Sequence, residues 1–243
     1  PSRSGQSPLP GVPFAVMEHT SLRNGTSSAP SRPLVQKRPL VLASSSPRRQ
    51  DFLRDLGLDF RVLPALTEEA RPLPGEAPDA YALRAARSKA ENVRTRIAAG
   101  AEGFPGRAAA PLVLAADTIV VLDGVILGKP ASGADALAML ERLAGRVHPV
   151  ITACCLWPAE DRAPCAWFAD AAHVRFAPWP RGLLEAYTAT GDPLDKAGAY
   201  GIQGRGAFLA DRIEGSWSTV VGLPVSRVVR ALLDCGALSG PRA

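Results

Sequence analysis

An aspartate stands inside the most apolar run of this chain. In Ala115-Ala116-Asp117-Thr118-Ile119-Val120-Val121 small and β-branched residues flank a carboxylate on both sides. An ionised group buried there costs several kcal/mol unless it is paired or holds a metal. A strand that simply ends in solvent at Asp117 is the competing account. A second constellation lies upstream, where Ser44-Ser45-Ser46-Pro47-Arg48-Arg49 sets hydroxyls, free backbone N–H groups and two guanidinium groups at the start of a helix. Donors, helix dipole and bidentate arginine together favour a phosphate at such a place. A plain Ser46 cap with solvated arginines is the bland alternative. Successive helical positions lie ~100° apart, so at most one of Arg48 and Arg49 tracks the sheet edge.

Further candidates are scattered along the chain. Glu69, with Glu68 as the alternative, sits in a Pro-rich loop and can meet Asp117 at one sheet edge. Such a pair suits a hard cation such as Mg²⁺, which takes one or two carboxylates plus phosphate oxygens. Lys89 falls within a long helical stretch and Lys129 within a Gly-Lys-Pro turn. If they converge on the same edge they complete a polyphosphate clamp; taken singly, each reads as a surface charge. In Asp195-Lys196-Ala-Gly198-Ala-Tyr200-Gly201-Ile-Gln203-Gly204-Arg205-Gly206 the glycines permit close backbone approach to a ligand, and the Gln203 carboxamide can read a base edge with an arginine or threonine donor beside it. Neither GxGxxG nor GxxxxGK[ST] occurs, so no Rossmann or P-loop site is expected. His148 and His173 read as structural.

These groups need a scaffold, and from residue 39 strand-like and helix-like segments alternate as in an α/β fold. Strands are expected at residues 39–43, 58–63, 112–122, 125–127, 147–156, 165–176 and 207–213. Helices are expected at 47–57, 79–99 with Asp79 as cap, 135–144, 180–188 and 224–235. Asp123-Gly124 marks a tight hairpin turn, and Gly145 a helix stop.

Composition removes other classes. The chain has 243 residues, 47% hydrophobic and 21% charged, as a folded globular protein does. No apolar run reaches the ~20 residues that span a bilayer. The net charge of +5 invites a nucleic-acid reading, but residues 1–38 hold five of the 28 basic and one of the 23 acidic residues. The rest is nearly neutral and has no overall field to steer a nucleic acid. Cys154, Cys155, Cys165 and Cys235 match neither a disulfide scaffold nor a zinc pair, so reduced, mostly buried thiols and a cytoplasmic location are expected. Residues 1–37, rich in Pro, Ser and Gly, read as a disordered tail ahead of a domain at 38–238.

In LASSSPRRQDFLRDLG, the Glu68-Glu69 pair, ARSKA, AADTIVVLDGVILGKP, DKAGAYGIQGRGA and VVGLPV, taken in order, the sequence resembles the Maf family of nucleoside triphosphate pyrophosphatases. The likeness runs from about residue 40 to 233. It implies an α/β fold of the Maf and inosine-triphosphatase-like kind, with a long mixed sheet flanked by helices and two lobes around a central cleft. It also implies hydrolysis of a nucleoside triphosphate to monophosphate and pyrophosphate with a divalent cation, Mg²⁺ or Mn²⁺, and often a homodimer. Carried over by position, Asp117 is the catalytic or metal-organising carboxylate and Glu69 shares the metal. Ser44, Ser46 and Arg48 border the phosphates, which Lys89 and Lys129 neutralise; Asp195 lies in the same loop. Arg49, Thr118 and Gln203 fall where the branch acting on dTTP and UTP differs from that acting on 7-methyl-GTP. The family is also associated with inhibition of septum formation, so a nucleotide-binding regulator without useful turnover is the rival reading.

Overall fold

The computed structural model describes residues 34–67, 71–100 and 110–241. Its centre is a mixed sheet in which the apolar run around Asp117 is a central strand. In chain order the elements are β1 (Val35–Gln36), β2 (Leu40–Leu42), α1 (Pro47–Asp55), β3 (Phe60–Val62), α2 (Pro78–Ala98), β4 (Leu112–Leu122), β5 (Val125–Leu127), α3 (Gly133–Leu143), β6 (Val147–Pro158), β7 (Ala166–Phe176), α4 (Arg181–Ala189), β8 (Ala210–Glu214), α5 (Trp217–Val221), α6 (Val225–Asp234) and β9 (Leu238–Ser239). The main sheet has the order β3-β2-β4-β6-β7-β8, and β5 folds back on β4. Strands β3, β2 and β4 run parallel; β6, β7 and β8 follow antiparallel.

Side chains alternate across β4, and the two faces meet different partners. Val113, Ala115, Ile119 and Val121 pack with Ala82, Ala86, Ala90 and Val93 of α2. Leu112, Leu114 and Ala116 pack instead with Leu53 of α1 and Val228 and Leu232 of α6. Further along the same face, Val120 and Leu122 join a core built on Leu140 of α3 and Leu184 of α4. A strand covered on both faces must be apolar throughout, and β4 obeys this except at Asp117 and Thr118.

The expected elements are present with shifted ends. Asp123 and Gly124 both take positive φ, +53° and +77°, as a two-residue hairpin turn requires. Asp79 is not the cap of α2: Ala77 is, Pro78 takes the first helical position, and Asp79 lies inside the first turn. A five-residue helix, α5, was not expected from its short Trp-Ser-Thr-Val-Val pattern. Nor was β1, which pairs with β9. The expectation of reduced thiols is corrected for two cysteines. Cys165 and Cys235 form a disulfide across 70 residues, because the start of β7 and the end of α6 meet over one core; Cys154 and Cys155 are free and buried. Among the described residues no helix is long and apolar enough to cross a membrane.

His148 is structural, as expected. It is fully buried, shares a 2.7 Å hydrogen bond with the Tyr200 hydroxyl and packs edge-on against Phe176 and Tyr200. Burial, then the nearby charges of Arg146 and His173, push its pKa down to about 4. The unfolded chain takes up this proton near pH 6.5 and the folded chain only near 4, so acid favours unfolding across that window and adds nothing further below it. Wild-type protein should therefore lose about 3 kcal/mol more than a His148→Gln variant between pH 7 and 4. Urea unfolding at both pH values measures the difference; equal losses would show that His148 is not the group responsible.

Candidate active site

The edge of β4 carries a gap. Strand β2 covers it only as far as Leu42 opposite Leu114, and β5 takes up the same edge only at Val120. Between them, residues 115–119 are paired on the β6 side alone. At the gap the chain leaves β2 through Ser44, Ser45 and Ser46 into α1, so a helix N-terminus lies beside the carboxyl end of a parallel strand. Open α/β sheets bind ligands at such crevices. A cavity of about 880 Å³ opens there.

Asp117 is an odd-numbered residue of β4 and so faces α2. Its Oδ1 receives Lys89 Nζ in an ion pair, with 9% of the Asp117 side chain and 25% of the Lys89 side chain exposed. The pairing explains how a carboxylate sits in this strand. Asp117 and Lys89 both line the cavity.

Thr118 points to the opposite face, where α1 supplies Arg49. The Arg49 Nε donates to the Gly222 carbonyl at 2.8 Å, one terminal nitrogen to Ser44 Oγ at 3.1 Å, and the other to Thr118 Oγ1 at 3.0 Å. Burial pulls the pKa of Arg49 down and the charge of Asp117 opposes this. Ser44 Oγ also accepts the Ser46 amide at 3.2 Å. Ser46 makes no side-chain cap on α1, against the bland reading, so the first-turn amides of α1 are not satisfied by a side chain.

All the expected residues within the described chain line this one cavity: Ser44, Ser46, Arg48, Arg49, Lys89, Asp117, Thr118, Lys129 and Gln203. Glu69 and Glu68 lie outside the described residues. Lys196 also lines the cavity and was not among the expected site residues. Its Nζ donates to the Asp192 carbonyl at 2.5 Å and to Asp195 Oδ1 at 2.7 Å, which staples the loop that carries Gln203. Burial works against ionisation of Asp195, yet the hydrogen bond and charge of Lys196, with the charge of Arg48, hold its carboxyl below the usual range. Thr152 was missed as well. The signal existed, because Thr152 interrupts the apolar strand β6 as Asp117 interrupts β4.

The chain matches the Maf-like protein family over residues 39–235. A dTTP/UTP pyrophosphatase from Nitratidesulfovibrio vulgaris is 48% identical over 206 residues, covering 85% of this chain and 92% of that protein. Another dTTP/UTP pyrophosphatase, from Burkholderia thailandensis, is 50% identical over 205 residues, covering 82% of this chain and 91% of that protein. Among solved structures, a nucleoside-triphosphatase and dITP/XTP pyrophosphatase from Mycobacterium abscessus is similar with a TM-score of 0.36 at 12% identity, covering 82% of this chain and 95% of that one. A HAM1 protein from Coxiella burnetii gives 0.37 at 21% identity, covering 59% and 75%.

The matched region includes the Gln203 loop, whose seat depends on one glycine. Gly198 holds φ +67°, and a Cβ there would lie 2.9 Å from the Cβ and both methyl groups of Val120 in β4. Its amide donates to the Gly128 carbonyl at 3.0 Å, tying the loop to the Lys129 turn. Gly198→Ala should cost about 2 kcal/mol through strain and overpacking together. Gly182→Ala, in helix α4 with open space around it, should instead stabilise by a few tenths to about 1 kcal/mol. Thermal melts of both variants check the contrast; a Gly198→Ala melt at the wild-type temperature would contradict the close seat.

Proposed function

Because the chain belongs to the Maf-like protein family, we propose that it hydrolyses nucleoside triphosphates to the monophosphate and pyrophosphate, with dTTP and UTP preferred. The reading is supported by relatives of that name at about half identity across most of both chains. The observation that carries it is the Lys89–Asp117 pair at the open edge of β4, in the cavity that the start of α1 also lines. A binding-only regulator of septum formation needs a charged cradle but has no use for a carboxylate held in an apolar strand at the cavity wall.

The roles follow from position. The amides at the start of α1, with Ser44, Ser46 and Arg48, border the phosphates, and Lys89 and Lys129 neutralise them. Asp117 orients the attacking water and takes its proton as the new P–O bond forms and the bridging P–O bond of the α,β-anhydride breaks. Water then ends on one product and the bridging oxygen on the other, giving monophosphate and pyrophosphate. On the other face of β4, Arg49, Thr118 and Gln203 read the base.

A divalent cation fits the donors present. Among the described residues no group of three or more His, Cys, Asp or Glu is placed to hold a metal. Mg²⁺ does not need one, since it takes one or two carboxylates and completes its shell with phosphate oxygens and water. Asp117 would hold it, joined on sequence grounds by Glu69. When bound, the cation neutralises phosphate charge that develops during hydrolysis.

Asp117→Asn should lower kcat for dTTP by at least about 100-fold while nucleotide binding, followed by calorimetry, persists. Wild-type turnover in that variant would remove Asp117 from the chemistry. Excess chelator should abolish pyrophosphate release by the wild-type protein, and added Mg²⁺ or Mn²⁺ should restore it; full activity in chelator would rule out the cation.

A further inference from the structure

The hydrogen bonds behind Thr118 have a fixed direction. Thr152 stands directly opposite Thr118 on β6, and its hydroxyl lies 2.7 Å from the Thr219 carbonyl. A carbonyl oxygen only accepts, so the single proton of Thr152 is committed to it. The carbonyl is available because the amide of Leu223, four residues on, turns instead to Ser218 O at 2.9 Å. Thr219 is itself held, its hydroxyl donating to Asp170 Oδ2 at 2.5 Å, while Arg227 donates to Asp170 Oδ1 at 3.1 Å.

Thr118 Oγ1 and Thr152 Oγ1 are 2.9 Å apart. With the Thr152 proton already used, the proton between them belongs to Thr118. Arg49 meanwhile donates into Thr118 Oγ1 from its other side. One donor and one lone pair of the hydroxyl are consumed, and what Thr118 offers the cavity is its remaining lone pair. The expectation of a threonine donor is therefore reversed: Thr118 is an acceptor. Arg49 has five N–H groups and spends three, on Gly222, Ser44 and Thr118, so two donors remain beside that acceptor.

We propose that Thr152 is a positioning residue for base selection, holding Thr118 as a hydrogen-bond acceptor beside the Arg49 donors, a pair that matches the N3–H and adjacent carbonyl of uracil or thymine and opposes cytosine. Cytosine bears an unprotonated N3, whose lone pair would face that of Thr118, and an amino group where the donor expects a carbonyl. This rests on the base-reading role given above to Arg49 and Thr118. Thr152 touches no part of the ligand; it acts by accepting the Thr118 proton, and the Thr219 carbonyl forces it to accept.

The test compares kcat/KM for UTP and CTP in the full chain and in Thr152→Val, Thr152→Ser and Thr118→Val. Valine keeps the volume of Thr152 but cannot accept, which frees the Thr118 hydroxyl to donate into the cavity. The UTP to CTP ratio should then fall by roughly 5- to 150-fold, while Thr152→Ser, which retains the hydroxyl, keeps the wild-type ratio. Should Thr152→Val fail to fold, Thr152→Cys, a poor acceptor, should lower the ratio in the same direction. An equal loss for both nucleotides would mean that Thr152 only supports the fold, and an unchanged ratio in Thr152→Val would overturn the proposal outright. If Thr118→Val loses discrimination and Thr152→Val keeps it, the base reading stands and the assignment to Thr152 falls. A wild-type ratio near one, or a Thr118→Val ratio equal to wild type, sinks the base reading and this proposal with it.

Discussion

The site opens on β4 because residues 115–119 of that strand have, among the described residues, no partner on the edge that β2 and β5 otherwise cover. Residues 112–114 are flanked by β2 and β6 and Val120 by β5 and β6, the strand is covered on both faces, and there it is apolar. A polar side chain inside a two-sided core needs a partner or an opening. The early end of β2 at Leu42 and the end of antiparallel β5 at Leu127, opposite Val120, bound the opening, and α1 enters it with its N-terminus. Had β2 continued for four more residues, its backbone would occupy the place that Ser44 and Ser46 now border.

The pleat of β4 then separates two tasks. Asp117 and Thr118 are neighbours in sequence, so they project to opposite faces and answer to different parts of the chain. Asp117 answers to Lys89 of α2 through an ion pair at the cavity wall. Thr118 answers to Arg49 of α1, Thr152 of β6 and, through them, to carbonyls of Thr219 and Gly222 at α5. Neighbours in sequence are thus held by different elements, although the charge of Asp117 still reaches Arg49.

The sequence makes the Asp117 face legible because burial of a carboxylate in an apolar run is a physical contradiction that demands a resolution. The Ser44 to Arg49 turn was legible for a similar reason, since Pro47 and two arginines mark a helix start rich in donors. Lys196 was harder to read. A lysine beside an aspartate reads as a surface pair, and its role in holding the loop emerges only when Asp192 and Asp195 fold back onto it. The direction of the Thr118 hydroxyl was beyond any linear pattern. It depends on Thr152, 34 residues away, and on a carbonyl of α5, whose five-residue helix has too few turns to show a period. The disulfide was missed because 70 residues separate its cysteines and spacing alone says nothing about proximity.

That disulfide bears on how the Thr118 face of the cavity is built. Helix α6 is fastened to β7 at two points. Near its start Arg227 reaches Asp170 and the Ala169 carbonyl, and just past its end Cys235 is joined to Cys165, which precedes β7. Asp170 in turn holds the Thr219 hydroxyl, and the Thr219 carbonyl sets the proton of Thr152. The inner members of this chain of hydrogen bonds, Thr219 and Thr152, are fully buried, where an unpaired polar group is costly. Anchoring α6 at both ends therefore does more than join two elements of a core. Arg227 of that helix stands at the far end of a hydrogen-bonded chain that runs through Asp170, Thr219 and Thr152 to Thr118.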